Sequence, residues 1–274
     1  MALHSKIIER YRVKSKAGIH LSGVSAQETS AFHGSKEEAM KELEAFRVDL
    51  EELQGLLYAQ HKHKILIVLQ AMDTAGKDST IRMVFKGVNP QGVRVVPFKV
   101  PNQEEADRDY LWRIHKYVPA KGEIVIFNRS HYEDVLVSRV HNLVSFAEIK
   151  MRYAQINHFE QMLAQEGTTI LKFFLHIDKD EQKKRLMERL EDPKKHWKFN
   201  LGDLAERKLW SKYMLAYEDV MNNTSTDWAP WHIVPANKKW YRNLVVARVI
   251  NDALKKLKMK YPKQKEDLSK IKII

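Results

Sequence analysis

Residues 64–80 read KILIVLQAMDTAGKDST, and this stretch decides the fold. Its first seven residues, 64–70, form a short continuous apolar run that is typical of a strand buried on both faces of a parallel sheet. A Gly-Lys pair follows at Gly76 and Lys77, where the chain is expected to turn into a helix. The backbone N–H groups of such a turn, together with the positive end of the helix, bind anions. The sequence therefore predicts a phosphate-binding loop.

The loop departs from the usual pattern G-x-x-x-x-G-K-[ST] at both ends, because Ala71 replaces the first glycine and Asp78 replaces the serine or threonine. A strand-to-helix turn with a solvated lysine is the alternative interpretation. The position of the Gly-Lys pair between a buried strand and a helix favours the phosphate loop, with Lys77 reaching the outer phosphates.

Asp73 places a carboxylate inside this anion-binding loop. A carboxylate close to phosphate oxygens is repelled unless a divalent cation lies between them, and Mg²⁺ binds few carboxylates alongside waters and phosphate oxygens. We therefore expect Asp73 to hold Mg²⁺ and to orient the attacking phosphate. The alternative is an Asx-type turn closed by the same side chain.

Strands and helices alternate along the rest of the chain, which predicts a three-layer α/β/α fold with a five-stranded parallel sheet in a single domain over residues 1–274. Ser35 and Glu38 form a capping-box pattern at the start of the first long helix. The further predicted strands are 93–98, 123–128, 169–177 and 231–235, and the predicted helices are 36–60, 78–88, 103–117, 131–139, 145–166, 180–190, 203–223 and 239–257.

Three segments are expected to lie outside this regular alternation. Residues 1–35 read as an extended arm over the surface, and residues 258–274 as a loosely held basic tail. Residues 181–198 carry seven basic and four acidic residues around Pro193. We expect a helical lid over residues 181–210 that closes on phosphates and excludes water. A solvated helix face is the alternative.

The third predicted strand ends in FNRSHYEDVLVSRVH, residues 127–141. Asn128 stands where the tip of a neighbouring strand normally supplies an acidic metal ligand. Arg129 follows at the carboxyl end of the sheet, where an arginine fork suits phosphate. Each charged residue of this segment could also be a surface ion-pair member. His131 could be proposed as a phosphohistidine. A structural histidine is favoured, because a phosphoryl group that passes directly between two bound substrates needs no nucleophile from the protein.

Composition limits the partners and the location. The formal net charge of +12 predicts polyanionic partners, which leaves nucleic acid, an anionic membrane face, nucleotides and inorganic phosphate chains open. The absence of cysteine excludes disulfides and thiolate catalysis. No apolar run approaches the ~20 residues that span a bilayer. Since the start of the chain also lacks a secretory signal pattern, we expect a cytoplasmic protein that does not bind membranes.

Several longer motifs resemble the second polyphosphate kinase family, in order along residues 6–257. They are QAMDTAGKD, FKVP, DYLWR, IFNRSHYEDVLVSRVH, LKFFLHI, WKFNLGDLAER and APWHIVPANKKWYRNLVVARVI. The asparagine of NRSHYE resembles the branch of that family that phosphorylates both nucleoside monophosphates and nucleoside diphosphates.

The resemblance implies a P-loop kinase that uses inorganic polyphosphate and Mg²⁺ to phosphorylate AMP or ADP reversibly, without a covalent enzyme intermediate. It also implies adenine or guanine nucleotides as partners, and a homo-oligomer, either a dimer or a tetramer. Asp73, Lys77 and Arg129 are the expected catalytic residues, with Asp73 as the metal ligand. The expected substrate-binding residues are Ala75, Gly76, Asp78, Ser79, Thr80, Lys99, Arg113, Asn128, Ser130, Tyr132, Glu133, Asp134, Arg139, Arg185 and Arg189.

Two other functions remain open at this point. An ATP-dependent nucleoside monophosphate kinase would share the fold and the lid, but it would be expected to keep the full glycine loop. A non-enzymatic nucleic-acid-binding protein on the same scaffold would use the positive charge alone. The sequence argues against the second, because Asp73, Glu133 and Asp134 are interleaved with the basic residues of the expected site.

Overall fold

The computed structural model describes residues 2–15, 17–264, 266, 268 and 271, and the side chains of these residues from Ile7 onward. Within this part of the chain, five parallel strands form one sheet in the order β2-β3-β1-β4-β5. The strands are β1 Lys64–Gln70, β2 Val93–Pro97, β3 Ile124–Asn128, β4 Thr168–His176 and β5 Trp231–Pro235. The prediction of a five-stranded parallel sheet is therefore confirmed.

The register of the central strands brings their carboxyl ends to one edge of the sheet. Leu69 of β1 aligns with Asn128 of β3 and with Phe173 of β4. The loop after β1 and the turn after β3 consequently begin side by side. Ligands of open α/β sheets bind at this edge.

Helices cover both faces of the sheet. On one face, Ile65, Ile67 and Leu69 pack with the first, second and last helices of the chain, while Leu66 and Val68 point to the other face. The helices are α1 Ala2–Tyr11, α2 Lys36–Gln60, α3 Lys77–Val84, α4 Gln103–Ala106, α5 Trp112–His115, α6 Glu133–Val140, α7 Phe146–Gln165, α8 Lys179–Glu191, α9 Leu201–Lys208, α10 Trp210–Thr224 and α11 Lys239–Lys256. Among the described residues, no helix is both long and apolar enough to cross a membrane.

The capping box at the start of α2 is confirmed. The Ser35 hydroxyl accepts from the backbone N–H of Glu38, and the Glu38 carboxylate accepts from the backbone N–H of Ser35. This pair satisfies two N–H groups that a helix start otherwise leaves unpaired.

Two predicted helices are wrong in their extent. The segment 103–117 forms two short helices, because the Asp109 carboxylate accepts from the backbone N–H groups of Leu111 and Trp112, both at 3.0 Å, and starts a new turn. The segment 203–223 breaks at Leu209, which separates α9 from α10. Apolar spacing continues across both breaks, so periodicity alone did not reveal them.

The extended arm predicted over residues 1–35 is wrong for the ten residues 2–11. These form α1, and its Ile7, Ile8 and Tyr11 are buried against the core that contains α11. The chain then crosses β5, where the N–H of Val13 donates to the carbonyl of Trp231 at 2.8 Å. Among the described residues between 12 and 35, the chain contains a 3-10 turn at Leu21–Gly23.

The lid segment forms two helices around a connection, as predicted. Helix α8 ends at Glu191, a 3-10 turn spans Pro193–Lys198, and α9 begins at Leu201. At the other end of the chain, residues 258–264 have no regular structure, and most of the predicted basic tail lies outside the described residues.

Candidate active site

A cleft of about 480 Å³ opens at the carboxyl edge of the sheet, between the loop after β1, the end of β2, the turn after β3, helix α8 with the 3-10 turn that follows it, and the start of α11. Nine lysine and arginine side chains and three carboxylates line it, so its charge suits a polyanion. The lining residues are Asp73, Thr74, Gly76, Lys77, Asp78, Ser79, Pro97, Phe98, Lys99, Asn128, Arg129, Arg185, Glu188, Arg189, Lys195, Lys198, Lys239 and Arg242.

The loop between β1 and α3 adopts an unusual backbone. Thr74 has a φ of 66° and Gly76 a φ of 105°, both in the left-handed region. A left-handed residue other than glycine costs free energy and persists only where its surroundings hold it. The Lys77 ammonium donates to the carbonyl of Ala71 at 3.2 Å, across the same loop. Burial lowers the pKa of Lys77, and the carboxylate of Asp73 partly offsets this.

Two buried arginines hold the loop in place. Arg185 donates to the carbonyls of Thr74 at 3.1 Å and Ala75 at 3.0 Å, and Arg242 donates to the carbonyl of Ala75 at 2.9 Å. Arg242 also donates to the Ser79 hydroxyl at 3.0 Å. Burial, reinforced by the neighbouring Arg185, lowers the pKa of Arg242 to about 9. These contacts fix the loop conformation through its carbonyl oxygens.

Arg185 is therefore better described as a support for the loop than as a free substrate ligand. Its remaining donors reach the Glu181 carboxylate at 2.7 Å and the carbonyls of Ala236 and Asn237 at 2.7 Å and 3.1 Å. Every N–H-bearing nitrogen of its guanidinium is engaged within the chain. In this conformation Arg185 lines the cleft but has no donor left for a phosphate, so substrate binding by Arg185 stays a prediction.

Asp73 and Arg129 meet at the mouth of the cleft. The Nη2 of Arg129 donates to Oδ1 of Asp73 at 3.0 Å, and the arginine side chain is 44% exposed. Arg129 has a φ of 63°, so a second strained residue lies at this site. Burial lowers the pKa of Arg129, but Glu133 and Asp73 outweigh it and hold the pKa above its usual value.

Asp78 and Asn128 form a second link between the loop and the turn after β3. The amide Nδ2 of Asn128 donates to Oδ1 of Asp78 at 2.6 Å. A carboxylate at position 128 could not donate this bond unless it were protonated. The two substitutions noted in the sequence, Asp78 for a hydroxyl residue and Asn128 for an acid, are thus complementary.

Glu133 and Asp134 begin α6 behind Arg129. Burial raises the pKa of Glu133, while Arg129 and Lys77 act in the opposite direction. Burial also raises the pKa of Asp134 to about 6, against the effect of Arg113 and Arg152. Neither carboxylate lines the cleft, although Glu133 is close enough to interact with Lys77 and Asp73.

Other predicted substrate-binding residues lie outside the cleft. Ala75 and Thr80 are buried within the loop and the first turn of α3, where the Thr80 hydroxyl donates to the carbonyl of Gly76 at 3.0 Å. Ser130 is fully buried and accepts from Nε2 of Gln70 at 3.2 Å. These three residues shape the site and do not face its interior.

Arg113 and Arg139 were expected at the site, and the structure places both elsewhere. Arg113 is buried and donates to the carbonyl of Lys99 at 2.8 Å, so it supports the residue that does line the cleft. Arg139 is paired with Asp219 and faces a separate pocket formed with α7 and α10. Neither guanidinium lines the cleft in this conformation, and direct substrate contact stays a prediction for both.

Tyr132 and His131 are completely buried, so neither side chain faces the cleft in this structure, and substrate binding by Tyr132 stays a prediction. The Tyr132 hydroxyl donates to Glu160 at 2.8 Å, deep in the helix layer. Nε2 of His131 lies 3.4 Å from the same carboxylate. A phosphohistidine would require the His131 side chain to leave the core.

Comparison with known proteins identifies the relatives of this chain. The family model described as polyphosphate kinase 2 matches residues 33–264. An AMP/ADP-polyphosphate phosphotransferase of Meiothermus ruber is 55% identical over 266 residues, which cover 97% of this chain and all of that protein. The chain belongs to the polyphosphate kinase 2 family.

Two further comparisons extend over most of this polyphosphate kinase 2 chain. An ADP-polyphosphate phosphotransferase of Rhodopseudomonas palustris is 44% identical and covers 84% of each chain. The crystal structure of polyphosphate kinase 2 from Arthrobacter aurescens superposes with a TM-score of 0.90 at 47% identity, covering 94% of this chain and 95% of the other. The predicted P-loop kinase-like fold is confirmed.

Sequence reasoning missed four cations of this polyphosphate kinase 2 cleft. Lys195 and Lys198 come from the 3-10 turn of the lid, and Lys239 and Arg242 from the first turn of α11. Arg242 lies 167 residues from Ala75, the loop residue that it contacts. In the sequence, Arg242 stands in a segment, residues 241–251, that is otherwise mostly apolar, but this pattern does not reveal which residue it contacts.

The residues of the cleft are suited to binding a Mg²⁺ ion together with the phosphates of a substrate. Among the described residues, no three His, Asp or Glu side chains form a ready-made metal cluster. Mg²⁺ is commonly held by one or two carboxylates together with substrate phosphates and waters. Asp73 lines the cleft beside Lys77, with Glu133 behind it. A carboxylate in this position can share a divalent cation with phosphate oxygens.

Proposed function

We propose that this chain transfers phosphoryl groups from inorganic polyphosphate to AMP and to ADP, reversibly and directly, in a Mg²⁺-dependent reaction. The observation that carries the proposal is the position of the Asp73–Arg129 pair and Lys77 in a cleft lined by nine cationic side chains. The names of the two relatives described above support the same substrates.

The spread of the cations supports a polymeric donor. A nucleotide needs only a compact binding site for two or three phosphates, whereas a phosphate chain needs positive charge along an extended path through the cleft. The cationic side chains run from Lys77 in the loop to Lys195 and Lys198 in the lid and Lys239 on α11. Such a path raises the local concentration of a long polyanion.

The acceptor is proposed to be either AMP or ADP because of Asn128. Its amide is bonded to Asp78, so the tip of β3 brings no second negative charge next to the acceptor phosphates. A monophosphate and a diphosphate place different numbers of charges at this point. A neutral residue tolerates both.

The residues of the chain supply positioning and charge in the proposed transfer. Lys77 and Arg129 neutralise the negative charge that builds on the transferred group. The in-line alignment of donor and acceptor supplies the rest of the catalytic effect. Asp73 orients the phosphate that attacks. Asp73 would hold Mg²⁺, and the bound ion would supply positive charge that stabilises the negative charge of the phosphates. The lid over residues 181–210 closes on the cleft and excludes water, which would otherwise accept the phosphoryl group.

Two alternatives make different use of the same cleft. An ATP-dependent nucleoside monophosphate kinase would need ATP as its donor. A nucleic-acid-binding protein would need no turnover, and the carboxylates of Asp73, Asp78 and Glu188 inside the cleft disfavour backbone phosphates that arrive without a divalent cation.

One assay separates these functions. The protein is incubated with Mg²⁺, long-chain polyphosphate and AMP in the absence of ATP, and the nucleotides are separated by chromatography. We expect both ADP and ATP to form. ADP alone would restrict the acceptor to the monophosphate, and ADP formation that requires ATP would support the nucleotide-kinase alternative. A chelated control without free Mg²⁺ should form neither product.

We further propose that residues 1–274 form a single kinase domain that assembles into a homo-oligomer, either a dimer or a tetramer. Large apolar side chains exposed near α6, α7 and α10, namely Leu143, Phe146 and Leu215, support a contact between copies on that side. Light scattering coupled to gel filtration measures the mass directly, and a monomeric mass at micromolar concentration would contradict this.

A further inference from the structure

A lysine is completely buried under the turn that carries Arg129. Lys172 lies in the middle of β4, and its ammonium donates to Oε2 of Glu160 at 2.6 Å, to the Tyr132 hydroxyl at 2.8 Å and to the carbonyl of Thr224 at 2.7 Å. Lys172, Glu160 and Tyr132 are each 0% exposed. All three donors of the ammonium are therefore used within the core.

The ion pair is an unusual choice for a core position. Removing two charges from water costs several kcal/mol per ion, and apolar residues of similar volume often serve stability as well or better. The surrounding core is apolar, since Ile156, Phe174 and Trp231 pack in the same cluster. Stability alone does not account for a lysine and a glutamate here, which points to a role in holding neighbouring residues in place.

The pair holds the residues that follow Arg129. The Tyr132 hydroxyl receives a hydrogen bond from Lys172 and donates one to Oε1 of Glu160 at 2.8 Å. His131 lies 3.4 Å from the same Oε1. Both side chains are thus drawn inward from the turn. The Tyr132 ring also packs edge-on against Trp231, with 4.7 Å between ring centroids.

The backbone conformation of Arg129 requires that its neighbours be anchored in this way. Its φ of 63° is left-handed, and a residue other than glycine stays there only when its neighbours hold it. On one side the N–H of Arg129 donates to the carbonyl of Leu69 at 3.2 Å. On the other side the Ser130 hydroxyl accepts from the N–H of Tyr132 at 3.2 Å. Tyr132 in turn is fixed by the buried pair.

We propose that Glu160 and Lys172 are positioning residues for the reaction, which act through Tyr132 to hold Arg129 against Asp73. Neither residue touches a substrate, and both belong to the layer behind the sheet edge. This role rests on the proposed function, in which Arg129 neutralises charge on the transferred phosphoryl group.

A double-mutant cycle tests the connection between Tyr132 and Arg129. Tyr132→Phe keeps the ring and its packing on Trp231 and removes only the hydroxyl. We expect kcat for polyphosphate-dependent AMP phosphorylation to fall roughly tenfold or more, because small misplacements of a catalytic group are costly. In an Arg129→Lys background the same change should alter kcat by less than about twofold, since coupled residues are not additive.

The Michaelis constants give a second criterion. KM for polyphosphate should stay within about twofold in Tyr132→Phe, because the other cations that line the cleft are unaffected and uniform binding is retained. A general loosening of the fold would instead raise KM and lower kcat together. Tyr11→Phe is the matched control, since it removes a buried tyrosine hydroxyl that is bonded to Tyr241 at 2.6 Å, away from the cleft. This control should leave kcat unchanged.

A second variant removes both charges. In Glu160→Met combined with Lys172→Met, we expect the melting temperature to be maintained or raised and kcat to fall as in Tyr132→Phe. The positioning role would be overturned if Tyr132→Phe reduced kcat by the same factor in the wild-type and the Arg129→Lys proteins. It would also be overturned by a stable double methionine variant with wild-type kcat. Absence of turnover in the wild-type protein would count against the proposed function instead, so the two failures are distinguishable.

Discussion

The guanidinium of Arg242 lies directly over Gly76, so that a methyl group on this glycine would fall 2.0 Å from Nη1 of the arginine. The same methyl group would lie 2.9 Å from the Ser79 hydroxyl. Gly76 also has a φ of 105°, a conformation that other residues rarely adopt. The glycine of the loop is therefore required both by its backbone and by the close approach of α11.

Gly76→Ala should destabilise the loop and abolish most turnover. Gly167→Ala is a matched control, because Gly167 has a φ of 86° but no atom within 4 Å of the added methyl group. The control should lose about 1 kcal/mol of unfolding free energy from backbone strain alone. Gly76→Ala should lose clearly more, since Arg242 must also move. Urea denaturation of both variants measures the difference, and equal losses would contradict the role of Arg242.

Asp73→Asn should separate the charge of this residue from its contact with Arg129. The amide oxygen of asparagine can still accept from Arg129, so we expect the melting temperature to stay within a few degrees. Turnover should fall roughly 100-fold or more, as it does when a group that organises transition-state charge is lost. Asp107→Asn, an exposed carboxylate bonded to Gln103, serves as the control. If Asp73→Asn keeps most of its activity, this residue does not carry the metal.

Asp134 predicts a pH dependence of stability. Burial raises its pKa from 3.8 to about 6, so between these values the folded chain retains a proton that the unfolded chain has released. The folded state binds more protons there, and the stability contributed by this residue therefore falls as pH rises from about 4 to 6.

The comparison of wild type with Asp134→Asn isolates that contribution, because asparagine does not titrate and the other groups are common to both proteins. Denaturation curves at several pH values should show the unfolding free energy of wild type declining relative to the variant across this window, with a constant difference above it. A difference that stays flat from about pH 4 to pH 7 would show that Asp134 ionises normally.

The sheet and the loop could be predicted from sequence because their signals are local. A run such as 64–70, apolar on both faces, has one stable place in a soluble protein, at the centre of a covered parallel sheet. Alternation with helices predicts that the strands are parallel, but it does not give their order in the sheet, which only the structure shows. The carboxyl edge of the sheet then brings Asp73 and Arg129 together, although 56 residues separate them.

The remaining parts of the site depend on contacts that no local pattern encodes. Arg242 reaches the loop from the last helix, and Lys195 enters the cleft from a 3-10 turn within a charged segment. Tyr132 was expected to bind substrate and lies only three residues after Arg129, but its side chain is completely buried in the core. Proximity in sequence does not decide the direction in which a side chain points.

The N-terminal helix gives the last prediction, because its packing was not foreseen from the sequence. Ile7 of α1 is 1% exposed within the core cluster that contains α11, whereas Glu9 on the same helix is exposed. Ile7→Ala should cost about 3 kcal/mol of unfolding free energy, within the range for large-to-small core substitutions. Glu9→Ala should change it by less than about 0.5 kcal/mol. Because none of the described side chains of α1 (residues 7–11) lines the cleft, turnover of Ile7→Ala under conditions where it is fully folded should match wild type. A stability like that of Glu9→Ala would mean that α1 is not part of the folded core, and a loss of kcat in the folded variant would mean that this helix acts on the site.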